Sequence, residues 1–200
     1  NKTMKQFLLI TFLAASSVVF AQGENEQIKA DFQKYSSALR SRQYTQTTSY
    51  MPEQIFAFVS KERLVQEMKN ALESDETETK INSIEINSFS DKMMVEGTMY
   101  VPFTFTQRFE IKYPNLFDAT DDEQSRNSTT KFIVQMLNES MPESNVSFDK
   151  QTEVFKVSSI KNAVALKPTA PDSWKFLIVE AQLRKELESI LPASVIKKIK

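Results

Sequence analysis

The chain has 200 residues, with 25 Lys and Arg against 26 Asp and Glu, no histidine, no cysteine and two glycines. Without histidine or cysteine, Ser-His-Asp and Cys-His nucleophilic sets and zinc sites built from those ligands are excluded, and two glycines cannot furnish a P-loop or a dinucleotide fingerprint. The mixed, nearly balanced charge lacks the basic stripe of a nucleic-acid protein, and a chain without disulfides must hold by packing alone.

Taken in order, Met4-Lys5 leads into an apolar run over residues 7–15, with small residues Val19 and Ala21 at the exit. This pattern predicts a secretory signal over residues 4–21, shorter than the ~20 apolar residues that a membrane-spanning helix needs. The mature product is then residues 22–200, a single domain with 23 basic and 26 acidic side chains. It is predicted to be exported to the periplasm or outside the cell, soluble, with no transmembrane segment and no cysteine for a lipid anchor.

Ile28, Phe32, Tyr35 and Leu39 form one stripe and predict a helix over 23–43. Residues 44–51 read as a connector, Pro52 as the first turn of a short helix, and Ser60 as the cap of a helix striped by Leu64, Met68 and Leu72. The period changes at Lys80. Ile81, Ile84 and Ile86 begin a β region, and 93–113 is one long alternating stretch typical of a half-buried antiparallel sheet. Pro102 places that stretch at an edge or a bend, because proline cannot donate to a ladder. Residues 114–128 read as a loop and 130–141 as a helix. A hairpin follows, with strands 146–148 and 154–157 about a polar turn. Strands at 162–166 and 174–179, a helix at 181–191 and a last helix at 193–199 with a lysine-rich end complete the chain. The fold class is α+β: N-terminal helices on a curved antiparallel sheet, with an additional helix and a C-terminal helix.

Two sets of residues suggest chemistry. Tyr100, Phe103, Phe105, Phe109, Tyr113 and Trp174 are candidates to line a hydrophobic ligand site on the sheet, since pockets are mostly apolar. The same residue types favour strands and would equally serve as core. The acidic run Asp118, Asp121, Asp122 and Glu123 has oxygen ligands that calcium prefers, but neither its spacing nor a glycine fits an EF-hand. It reads instead as a solvated loop favouring the next helix N-terminus, so no metal and no cofactor are assigned. Glu85, Glu96, Glu110, Asp149, Glu153 and Glu180 lie in or beside strands without a discernible pair, so no catalytic residue is assigned.

The stretches Tyr50-Met51-Pro52-Glu53-Gln54-Ile55-Phe56, Lys61-Glu62-Arg63-Leu64, Asn145-Val146-Ser147-Phe148-Asp149, Ala163-Val164-Ala165, Ser173-Trp174-Lys175-Phe176 and Ile190-Leu191-Pro192 resemble uncharacterised exported proteins of Bacteroidota-type bacteria. The helix–sheet order and the late Trp-Lys-Phe strand resemble the NTF2-like (cystatin-like) α+β cone. That resemblance implies a concave sheet face able to bind. Enzymes of the fold use an Asp-His pair or similar, for which this chain has no match. The function expected is a non-catalytic binding module holding a small apolar ligand, a peptide or a protein partner on that face. The alternative is an envelope-associated interaction or assembly protein with no small-molecule pocket; a carboxylate- or tyrosine-based enzyme ranks third.

Overall fold

The structure, a computed structural model, describes residues 23–141, 143–168, 173–179 and 184–199. The predicted signal at 4–21, Glu180 and the first residues of the helix predicted from 181 lie outside the described residues.

Helix α1 covers residues 23–40 and buries Ile28, Phe32 and Tyr35 of the stripe read from the sequence; its fourth member, Leu39, is only half-buried, and Ala38 is buried in its place. It ends at Arg42, whose backbone is left-handed (φ 59°), while the Gln43 N–H returns to the Ala38 carbonyl at 2.8 Å. Helix α2, Tyr44–Ser49, stands where a connector was expected. Its apolar signal is weak because its buried residues are Tyr44, Thr47 and Thr48. The two threonine hydroxyls are satisfied locally, on the Gln43 and Thr45 carbonyls. A 3-10 turn at Glu53–Ala57 follows buried Pro52. Helix α3, Lys61–Leu72, is capped as expected, the Arg63 N–H donating to the Ser60 hydroxyl at 3.2 Å.

Six antiparallel strands make one open sheet: β1 (Glu78–Phe89), β2 (Met93–Val95), β3 (Thr98–Lys112), β4 (Ser144–Asp149), β5 (Val154–Pro168) and β6 (Lys175–Val179). The order is β1-β3-β5-β4, with β2 also on β3 and β6 also on β5. The long pair at its centre runs unbroken from Thr98 opposite Pro168 to Ile111 opposite Phe155. Three expectations change here. The stretch 93–113 is a hairpin, cut at Glu96-Gly97, both left-handed (φ 48° and 76°) as a two-residue type I′ turn requires. The segments 154–157 and 162–166 are one strand, β5, because Ser158 to Lys161 stay in the ladder despite their polarity. Pro102 is not on an edge strand. It pairs with Val164 on one side, and on the other it faces the gap between β1 and β2, where its carbonyl accepts from the Ser90 N–H. A missing donor costs little at that gap.

Between β3 and β4 lies α4, Glu123–Ser140, starting seven residues before the predicted helix. Asp122 caps it, accepting from the Ser125 N–H at 2.7 Å. Its first turns are polar, so no stripe reveals them; only Ile133 and Leu137 are buried. The chain closes with α5, Arg184–Ile190, and α6, Ala193–Ile196.

Alternation in β3 distributes the core over two faces. Val101, Phe103 and Phe105, with Ala163 and Ala165 beside them, face Ile28, Phe32 and Tyr35 of α1. Further along the same face, Ile111, Phe155 and Val157 meet Ile133 and Leu137 of α4. The opposite face carries Val164, Leu166 and Leu177 against Leu187, Leu191 and Val195. Beyond that cover the opposite face is a polar lattice: Ser88 bonds Thr104, Thr106 donates to Asn87, and Arg108 donates to Ser83 and Glu85.

Candidate functional site

The six aromatic residues singled out from the sequence fall into three places. Phe103, Phe105 and Trp174 are together under α1, each no more than 3% exposed. Phe109 and Tyr113 are half-buried at the α4 end, where the Tyr113 and Phe155 rings meet edge to face at 5.7 Å. Tyr100 is on the other face, beside the C-terminal helices. The space above Phe103 and Phe105 is filled by the ring of Phe32, with centroids 5.0 and 5.3 Å away and a third edge contact to Phe176 at 5.1 Å. Trp174 keeps a buried indole N–H without an acceptor among the described residues, while its backbone N–H reaches Asp31 at 3.3 Å.

The acidic run is turned onto its own backbone. Asp118 accepts from Thr120, Asp121 from the Asp118 N–H, and Asp122 from Ser125. Those bonds hold the Asp118 and Asp122 carboxyls below their usual range, as a donor to the charged form does. Asp149 is lowered to about 2 by the Lys156 ammonium and by the Gln151 N–H. Burial, then the hydrogen bond to Glu73, lifts the Tyr44 phenol to about 12, and burial raises Tyr113. Each of these groups moves away from neutrality, opposite to what general acid–base chemistry near pH 7 asks of a side chain.

Two features of the described surface bear on binding. The outer side of α4 displays Phe132, 65% exposed, and Met136, 38% exposed, one turn apart. Lys131 and Glu139 flank them, and a shallow concavity runs beside them along Thr130, Val134 and Asn138. The second feature is a groove of about 480 Å³ between the end of α1, the end of α3 and the start of β1. Its apolar floor is Leu39, Leu72 and Ile81. Its polar lining is Ser37, Arg40, Ser41, Arg42, Thr79 and Lys80, three cations and no carboxylate. Arg42 is braced across it, donating to the Thr79 carbonyl at 3.3 Å with Glu73 at 3.6 Å. Arg40 and Lys80 make no ion pair or hydrogen bond among the described residues.

Neither feature was singled out from the sequence. Phe132 and Met136 belong to the predicted helix, but which of its apolar residues face out depends on where the sheet lies. Arg40 and Arg42 stand at the end of α1, and they line one groove with Lys80, some forty positions away, which no local pattern signals.

No family model matches the chain, and no curated protein matches it.

Proposed function

We propose that the chain is an exported, non-catalytic interaction protein that presents its contact surface on the outer side of α4 and uses the aromatic face of its sheet as core. The observation that carries this reading is the exchange of roles between two apolar sets: Phe32 occupies the sheet face, while Phe132 and Met136 stand in solvent. A long helix laid across an antiparallel sheet supports the NTF2-like resemblance, and that fold accommodates dimerising modules without catalysis.

The partner that α4 fits is a second copy. Two α4 helices crossing antiparallel about Gln135 set Lys131 of each opposite Glu139 of the other, because the two residues are equally spaced from that centre. A two-fold axis doubles every such contact, and Phe132 then lies opposite Asn138 of its mate and Met136 opposite Val134. Apolar side chains flanked by one charge of each sign are what a self-complementary interface presents before it closes.

Sedimentation velocity over a wide concentration range tests the proposal. The expected result is a reversible dimer that Phe132→Ser weakens and Lys131→Glu abolishes. Combining Lys131→Glu with Glu139→Lys should restore it, since the charges are exchanged but remain complementary. A monomer at every concentration, or a dimer indifferent to these changes, overturns the α4 surface. A small molecule that co-purifies and is released on denaturation in native mass spectrometry would return the reading to a ligand on the sheet face.

A further inference from the structure

We infer that the groove between α1, α3 and β1 is a binding site for a small amphiphilic anion, with a carboxylate or phosphate head held by Arg40, Arg42 and Lys80 and an apolar body lying on Leu39, Leu72 and Ile81.

Three independent features of the groove lead there. Its lining is electrostatically one-sided, with three cations, three hydroxyls and no carboxylate. The nearest acids are outside the lining: Glu73 accepts from the Tyr44 hydroxyl at 2.8 Å and faces Arg42, and Glu110 is the cross-strand neighbour of Lys80 in the β1–β3 ladder, with no ion pair between them. Two of the three cations are without partners among the described residues, so an arriving oxyanion need not displace an existing bond from them. Charge-assisted bonds of that kind are the strong ones, and the guanidinium fork suits a two-oxygen head.

The second feature is conformational. Arg42 occupies the left-handed position just after α1, with φ of 59°, where glycine or asparagine is the ordinary occupant. A long cation at that place has a steric cost that glycine would avoid. The Thr79 carbonyl orients its guanidinium across the groove, which gives the strained residue a task. The third feature is shape. About 480 Å³ lies within the range of small-molecule sites, and a floor of three aliphatic side chains beneath a charged rim matches a molecule with one apolar and one anionic end.

The test uses octanoate, with octanol as its uncharged counterpart and inorganic phosphate as a head without a body. Amide shifts are followed by NMR in the purified protein. Octanoate should move residues 37–42 and 79–81 saturably, octanol should not, and phosphate should move the same residues more weakly. Arg40→Ala combined with Lys80→Ala should weaken octanoate at least about tenfold, as loss of two charge-assisted contacts implies. Both side chains are exposed and without partners among the described residues, so this variant should unfold at the wild-type temperature, which a parallel melting curve checks.

Co-sedimentation with phosphatidylglycerol vesicles separates the sources of the head group. Vesicle binding lost in the double variant assigns a lipid head, and octanoate binding without vesicle binding assigns a free anion. No saturable shift with octanoate or phosphate together with no vesicle binding overturns the site, as does equal response to octanoate and octanol. Binding that the double variant leaves unchanged also overturns it.

Discussion

Phe32→Ala separates a sheet face that is core from one that is a binding site. Phe32 is 2% exposed and its ring contacts four others, Tyr35, Phe103, Phe105 and Phe176, at 5.0 to 5.5 Å. Truncating a buried phenylalanine costs about 3–5 kcal/mol through lost transfer energy and the void left behind. Aromatic pairs contribute about 0.5–1.5 kcal/mol beyond area, so four of them place this site in the upper part of that range. In a domain of this size the melting temperature should fall by about 6–20 °C. Urea unfolding is the assay, and the midpoint should drop while the slope stays constant, because the surface exposed on unfolding barely changes. The void is lined by apolar rings and should stay dry, so benzene should raise the variant's midpoint and leave the wild type unmoved. A loss below about 1 kcal/mol, the range of surface substitutions and minor contacts, would refute the reasoning: α1 would then not be seated on the sheet, and Phe103 and Phe105 would be free to line a site.

Two further predictions concern pH. Tyr44 donates to Glu73 at 2.8 Å, and burial with that bond lifts its phenol from 10 to about 12. A folded pKa above the unfolded one gives stability that is complete below pH 10 and drains away as pH rises through 12. Tyr44→Phe should cost about 1.5–3 kcal/mol near neutrality, the worth of a bond to a charged acceptor. It should also flatten the alkaline limb of a stability–pH curve; a limb unchanged in Tyr44→Phe would show that another group governs it. Asp149 is the opposite case, its carboxyl lowered from 3.8 to about 2 by Lys156 and the turn N–H groups. Its contribution is complete above about pH 4 and lost as pH falls through 2. Asp149→Asn should therefore flatten the acid limb in that window, as read by circular dichroism during acid titration, and an acid limb as steep as wild type would remove Asp149 from the account.

Much of the fold was legible because its signals are local. The α1 stripe, the Ser60 cap, the β4–β5 hairpin and the Pro192 start of the last helix each follow from a few neighbouring residues, and the structure places them as read. The misreadings share a cause. Helix α2 and the first turns of α4 are held by hydroxyl bonds and a carboxylate cap rather than by apolar periodicity, so their sequences look like loops. The polar centre of β5 reads as a break, yet it is a strand because β3 pairs with it throughout.

By itself the sequence determined the chemistry open to this protein: no histidine or cysteine to catalyse or bind zinc, α+β periodicity, and an abundance of aromatic residues in its strands. The tertiary structure alone decided which apolar residues became core and which remained surface. Phe32 on α1 and Phe132 on α4 are the same residue type, one 2% exposed and the other 65%. The difference is where the sheet passes, set by pairings between strands far apart in the chain. The tertiary structure also sets Lys80 in one groove with Arg40 and Arg42, because a groove's charge is a property of positions in space and not of spacing along a chain.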